Sequence, residues 1–257
     1  MPGERPFLPY GRHFIEDDDI EAVTDVLRGE FLTTGPVVDA FENKLAEVTG
    51  ARHVVSCSSG TAALHLTASA LDLGPGDWAI VPAMTFLATA NAARYVGADV
   101  IFADVDAETG LMTSETFEAA RATAMGSVKA VYPVHINGQT ANMAAIRQVA
   151  GDMPIVEDAC HALGGVHKAA NGEWVPVGSC AYSEMSIFSF HPVKTVAMGE
   201  GGAVTTNDDH LAERLRRHRN IGMNRNPETI ENAGQAFDTS GEINPGYYEM
   251  PELGLNY

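Results

Sequence analysis

Basic charge is scarce in this chain. Lysine and arginine together number 16 against 34 aspartates and glutamates, for a formal net charge of −18, so a nucleic-acid partner is not expected. Acidity does not forbid a small anionic ligand, because a few arginines and helix N–H groups can hold one phosphate. No apolar run approaches the length that crosses a bilayer, which argues against a membrane partner. The opening residues, MPGERPFLPYGRHF, lack the basic-then-apolar layout of a secretion signal. Cysteine is sparse too: Cys57, Cys160 and Cys180 have no metal-ligand spacing. They read as small buried hydrophobes in a reducing compartment, with no metal implied. The expected location is therefore the cytoplasm. No G-x-G-x-x-G follows the first strand, which weakens any reading as a dinucleotide-dependent oxidoreductase. Internal repeats and low-complexity tracts are missing as well.

What the chain does have is alternation. Its 257 residues, 45% of them hydrophobic, are enough for one large α/β domain or a domain with a fragment of a second. Ile20, Val23 and Leu27 share one face of a predicted helix, and VVDAFENKLAEVTG predicts another that ends at Gly50. From HVVSC onward, short apolar strands alternate with helical stretches, through WAIVP, DVIFADV, KAVYPVH and PIVED. This βαβα order implies a mostly parallel sheet covered on both faces. MSIFSF and GAVTT follow as two more strands, candidates for an antiparallel pair. The stretch from Asn224 to Tyr248 has little periodicity and reads as a long surface loop.

Sheets of this kind bind ligands beyond the carboxyl ends of their strands. Ser58, Ser59, Gly60 and Thr61 stand where a strand gives way to a helix, a place fit for an anion or for an ordinary N-cap. Glu157 and Asp158 end PIVED; a carboxylate there can keep a pyridine nitrogen protonated or can simply be solvated. His161 lies three residues beyond Asp158 and would share its face if the segment turned helical. Phe86, in PAMTF, is a candidate for stacking on a heteroaromatic ring or for the core. Lys194, in FSFHPVKT, can form a Schiff base with an aldehyde if its amine loses its proton. Most lone lysines are solvated charges; here Ser189, His191, Pro192 and a glycine-rich GEGG weigh against that. Gly199, Gly201 and Gly202 are expected to pack tightly beside something.

Taken in order, FLTTGP, SSGTAALHL, GPGD, PAMTFLATANAARYVGA, FADVD, KAVYPVHINGQ, IVEDACHALGG, FSFHPVKT, GEGGAVTTN and GYYEMPELGLNY resemble the DegT/StrS family of sugar aminotransferases across nearly the whole chain. That resemblance implies an α/β fold, the large domain of the type I pyridoxal phosphate (PLP)-dependent transferases, with a mostly parallel seven-stranded sheet between helices. It implies an N-terminal segment over 1–30, a PLP-binding large domain over 31–223, and over 224–257 a loop and the start of a C-terminal part. Family chains continue past GLNY into a small domain, so the resemblance implies a chain whose small domain is largely missing.

The implied roles follow the matching positions. Lys194 would hold the cofactor aldehyde, and Asp158 its ring nitrogen. His161 would lie near the ring hydroxyl, with Phe86 stacked on the ring. Gly60, Thr61 and Ser189 would hold the phosphate. Asn256 would reach the phosphate in a neighbouring subunit, making a homodimer with a shared active site. Thr33, Thr34 and Tyr10 would meet sugar or nucleotide. FSFHPVKT and EDACHA look most like the pseudaminic acid branch, implying a UDP-4-amino-4,6-dideoxy-N-acetyl-β-L-altrosamine transaminase. Such an enzyme moves the amino group of L-glutamate onto C4 of a UDP-linked 4-keto-6-deoxy sugar. Alternatives are another UDP- or dTDP-sugar aminotransferase, a PLP-dependent sugar dehydratase (against which Lys194 argues), or a non-catalytic PLP-binding regulator. Two positions depart from the family pattern: Ile221 stands in RNIG where a histidine is usual, and Asn137 precedes GQ where a larger residue is common.

Overall fold

The computed structural model describes residues 7–9, 11–169 and 171–257. Two helices come first, α1 (Asp17–Arg28) and α2 (Pro36–Thr49). There follow β1 (His53–Cys57), α3 (Gly60–Ala70), β2 (Asp77–Pro82), α4 (Leu87–Tyr95), β3 (Asp99–Ala103), α5 (Ser114–Ala122) and β4 (Ser127–Val131). The second half holds α6 (Met143–Ala150), β5 (Val156–Asp158), β6 (Val166–Lys168), β7 (Trp174–Pro176), β8 (Met185–Ser189), β9 (Gly202–Thr206), α7 (Asp209–Arg219) and the short α8 (Ala233–Ala236).

A four-stranded ladder in the order β1-β9-β8-β5 and a three-stranded ladder in the order β3-β2-β4 meet through parallel bridges, Val131 to Ile155 and Val134 to Asp158. Together they make a seven-stranded sheet in which only β9 runs against its neighbours. The expected α/β architecture is what the chain adopts. MSIFSF and GAVTT do form an antiparallel pair, with Met185 opposite Thr206 and Ser189 opposite Gly202.

Strand side chains alternate between faces, and here both faces are dry. Val55, Ala79, Val81, Met185, Ile187 and Val204 pack into one core beneath α3 and α4. Their neighbours point the other way: Ile80 meets Phe117, Met143 and Ile146, while Val54, Phe188 and Ala203 meet Leu45. Burial on both sides is why these strands read as continuous apolar runs. Gly50 caps α2 in the left-handed region at φ 75°, as the sequence predicts.

Two expectations need correcting, and one element was not foreseen. The segment 224–248 is not a featureless surface loop: Ala236 is fully buried in α8, and bridges tie Asn224 to Glu249 and Phe237 to Ile243. The hairpin of β6 and β7 was not anticipated, because strands this short leave no measurable period. A Cβ at Gly199 would meet nothing within 4 Å, so tight packing does not require the glycine; its role is a left-handed backbone at φ 78°.

Candidate active site

The carboxyl ends of β1, β5 and β8 meet at one end of the sheet. From β1 the chain passes through Ser59, whose Oγ accepts the N–H of Ala62 at 3.1 Å and caps α3. The N–H groups of Gly60 and Thr61 are thereby left at the helix start, with no carbonyl four residues earlier to take them. Gly60 is glycine for a steric reason: a Cβ there would lie 2.7 Å from Ser189 Cβ and 3.2 Å from Cys160 Sγ. That one contact set brings the ends of β1, β5 and β8 together. Gly202 is tighter still, since its Cβ would fall 2.2 Å from the carbonyl oxygen of Ser59.

Asp158 ends β5 and is 5% exposed. Its Oδ2 accepts from Thr89 Oγ1 at 2.7 Å, and its Oδ1 accepts the N–H of Cys160 at 3.3 Å. The segment beyond it does not turn helical, because Asp158 engages the backbone two residues on and Gly164 turns left-handed at φ 79°. His161 therefore reaches the site through a turn. Its Nδ1 accepts the N–H of Asn137 at 3.1 Å. Burial lowers the pKa of His161, the charge of Lys194 lowers it further, and Asp158 opposes both. The ring is held neutral with its proton on Nε2, leaving that nitrogen as a donor.

Lys194 follows β8 in a turn closed by its own N–H on the carbonyl of His191 at 2.8 Å, and is half-buried. Its charge acts on both Cys160 and His161, and so does that of Asp158. Both side chains thus lie near the turn at Cys160 and His161. Burial pushes the Cys160 thiol well up, and Asp158 adds to this; burial also raises Cys57 to about 12. Both cysteines are poor nucleophiles at neutral pH. Phe86 is not core: it is 70% exposed at the start of α4, with a ring face bare enough to cover a ligand.

Thr33, Thr34 and Asn256 line a cleft of about 940 Å³ together with Ser58, Gly202 and Arg219. Thr34 sits at φ 48°, unusual for a β-branched residue. Asn256 is held by a bridge to Asn220 and stays exposed. Tyr10 lies outside the described residues.

Glu157 belongs elsewhere. It points to the opposite face of β5 and is fully buried, accepting from His135 Nε2 at 2.8 Å and from Ser183 Oγ. Burial alone would raise its pKa, but the hydrogen bonds from His135 and Ser183 hold it below the usual value. Ligand atoms of His135, Glu157 and His167 lie within 4.8 Å of one another, a donor set that could suggest a metal. Yet the N–H of Ala141 occupies Nδ1 of His135 at 3.2 Å, so Nε2 must carry the ring proton. A metal bound there would demand an imidazolate, and Glu157, His135 and Ser183 are better described as a buried hydrogen-bond network beside which His167 packs.

The site has the parts that a phosphorylated pyridine aldehyde requires. Free N–H groups lie at the start of α3, a carboxylate and an amine lie near one turn, a neutral donor sits beside them, and an aromatic ring is exposed. Sequence reasoning missed Thr85, Thr89 and the backbone of Asn137. Only Thr89 left a signal, a polar residue in the first turn of α4 among alanines.

Residues 13–247 match the DegT/DnrJ/EryC1/StrS aminotransferase family. The chain is 39% identical over 250 residues to a UDP-4-amino-4-deoxy-L-arabinose–oxoglutarate aminotransferase of Shewanella sediminis, covering 96% of this chain and 61% of that protein. Among solved structures it resembles Helicobacter pylori PseC, an aminotransferase involved in the biosynthesis of pseudoaminic acid, at TM-score 0.80 and 25% identity, covering 97% of this chain and 61% of the other. The PLP form of the putative sugar aminotransferase Spr1654 from Streptococcus pneumoniae aligns at TM-score 0.79 and 26% identity, with 96% and 62% coverage. The chain thus spans less than two thirds of the length of these relatives.

Proposed function

The chain belongs to the DegT/DnrJ/EryC1/StrS aminotransferase family, and from that premise we propose that it transfers the amino group of L-glutamate to C4 of a UDP-linked 4-keto sugar, with Lys194 and Asp158 as its catalytic pair. The observation that carries this reading is that β5, which ends in Asp158, and β8, which leads to Lys194, run parallel side by side and meet the open start of α3 at Gly60, against Ser189 and Cys160. Pyridoxal phosphate, when bound, supplies an aldehyde that accepts the amino group and a protonated ring that draws electrons from it.

The chain's own residues do the rest. Lys194 Nζ would hold the aldehyde covalently and, once released, carry the proton taken from the α-carbon of glutamate. Asp158 would accept a hydrogen bond from the ring nitrogen and keep it protonated. Gly60 and Thr61 N–H groups and the Ser189 hydroxyl would receive the phosphate. Phe86 would cover one ring face and exclude water. His161 Nε2–H would donate to the ring hydroxyl. Thr33, Thr34 and Tyr10 would meet the nucleotide sugar, for which the cleft of about 940 Å³ leaves room.

A homodimer is part of the same reading. Helix α1 buries none of its residues, and Ile20, Val23 and Leu27 present an exposed apolar stripe that a second copy would cover. Asn256 would then serve the partner's phosphate position. No helix among the described residues is long and apolar enough to cross a membrane, which fits a cytoplasmic enzyme acting on activated sugars.

The test supplies PLP, L-glutamate and a panel of UDP- and dTDP-4-keto sugars, and reads product masses. The panel includes 4-keto-6-deoxy hexoses, as the pseudaminic acid branch uses, and the 4-keto pentose that the Shewanella relative's name implies. Amination of the UDP-linked 6-deoxy hexose is expected, and Lys194→Ala should abolish it. A panel without product, from a chain that still binds PLP, would favour a regulator.

A further inference from the structure

Asp158 does not stand alone behind the site. Thr89 is fully buried in the first turn of α4, and its Oγ1 lies 2.7 Å from Asp158 Oδ2. An ionised carboxylate only accepts, so Thr89 donates there. Thr89 Oγ1 is also 2.7 Å from Thr85 Oγ1. A hydroxyl has one proton, and that of Thr89 is committed to Asp158. Thr85 must therefore be the donor of the second bond, and the chain runs in one direction, from Thr85 to Thr89 to Asp158. Both bonds are 2.7 Å long, and a hydroxyl that accepts one hydrogen bond donates the next more strongly.

The backbone makes this arrangement rigid. Thr89 N–H donates to the carbonyl of Phe86 at 3.1 Å, so the same helical turn carries the exposed ring of Phe86 and the buried hydroxyl. The other carboxylate oxygen is held by the N–H of Cys160. Each oxygen of Asp158 thus has a fixed donor from a different element, which sets the plane of the carboxyl group.

We infer that Thr89, polarised by Thr85, is a positioning residue that holds the Asp158 carboxylate in its plane and aims it at a pyridine-type ring nitrogen. Its importance for catalysis rests on the aminotransferase reading above; the hydroxyl chain itself does not. Without the Thr89 proton the carboxylate is one donor short and more basic, and would take a larger share of the proton it holds in common with the ring. A ring that has lost part of its proton is a weaker electron sink.

Thr89→Val preserves shape and deletes the donor; Thr89→Ser restores it. In the full cofactor-free chain, 13C NMR of labelled aspartate should show the Asp158 titration midpoint rise by about half a unit or more in Thr89→Val, a lost hydrogen bond of roughly 0.7 kcal/mol. The rise should be smaller in Thr85→Val and absent in Thr89→Ser. An unmoved midpoint in folded Thr89→Val overturns the inference. In the PLP-loaded protein, kcat should fall by about tenfold or more with the glutamate KM within about threefold, and the visible band of the bound cofactor should shift its pH midpoint upward. A carboxyl shift with kcat and the band unmoved overturns the positioning role alone. A wild-type chain that takes up no PLP overturns the aminotransferase reading and the positioning role with it, while the NMR shift still reports the hydroxyl chain.

Discussion

The backbone N–H of Asn137 donates to Nδ1 of His161 at 3.1 Å, across 24 residues of sequence. It can do so because Asn137 turns left-handed at φ 55°, ψ 23° within the 3₁₀ turn Ile136–Gly138. Gly138 continues the turn at φ 80°, close under the carbonyl of His161. A main-chain group thereby decides which nitrogen of a site histidine is the donor.

Asn137→Gly should be tolerated, since glycine adopts this conformation freely, whereas Asn137→Val should cost about 1–2 kcal/mol and turn the N–H away. Nitrogen chemical shifts of His161 at about pH 8 would check it. The wild-type and Gly variants should hold the proton on Nε2, and the Val variant should show a mixture of tautomers.

Gly202→Ala must push the start of α3 away from β9, because the new Cβ would strike the Ser59 carbonyl. The expected loss is about 1–3 kcal/mol in denaturant unfolding, with weaker binding of PLP or inorganic phosphate. Gly199→Ala is the control: it meets no atom and should pay only for its left-handed backbone, roughly 1 kcal/mol.

Glu157 separates two kinds of loss. In Glu157→Gln the amide oxygen can still accept from His135 while Ser183 rotates to accept from the amide nitrogen, so a cost of about 1 kcal/mol is expected. Glu157→Leu leaves Nε2–H of His135 buried without an acceptor and should cost about 3 kcal/mol or more. Urea unfolding of the two variants would distinguish them.

Acid should destabilise the fold before the carboxylates titrate. Burial, as the leading cause, lowers the pKa of His65, His161, His167 and His218 below 6.5. The unfolded chain then binds more protons than the native one, so stability is intact above pH 6.5 and declines as pH falls through the lowered native values. Asp72 and Glu252, held down by Arg214 and Arg217, lose their contribution only below 3.8 and 4.5 respectively. Chemical denaturation between about pH 7.5 and pH 5 would read the slope. His167→Leu should flatten it, because neither nitrogen of that buried ring has a hydrogen-bond partner to lose.

Some of this was legible in the residues. The alternation from HVVSC to PIVED prescribed the sheet because strands buried on both faces are apolar at every position. The Ser59 cap, the Gly50 turn and the antiparallel partner of MSIFSF followed from local chemistry. The hairpin of β6 and β7, the burial of α8 and the turn after Asp158 did not, since each depends on contacts distant in sequence. Phe86 could be read either as core or as an open face, and only packing decides between those.

The sequence by itself determined the order of strands and helices and where chemistry-bearing residues fall relative to strand ends, because those properties are local. Which carboxylate faces the site was a tertiary decision. Glu157 and Asp158 are adjacent and chemically alike, yet the pleat sends one to His135 and Ser183 and the other to Thr89. So was the direction of the proton chain behind Asp158, and so was the tautomer of His161. Each is set by a hydrogen bond whose two ends meet only when separate strands close into one sheet.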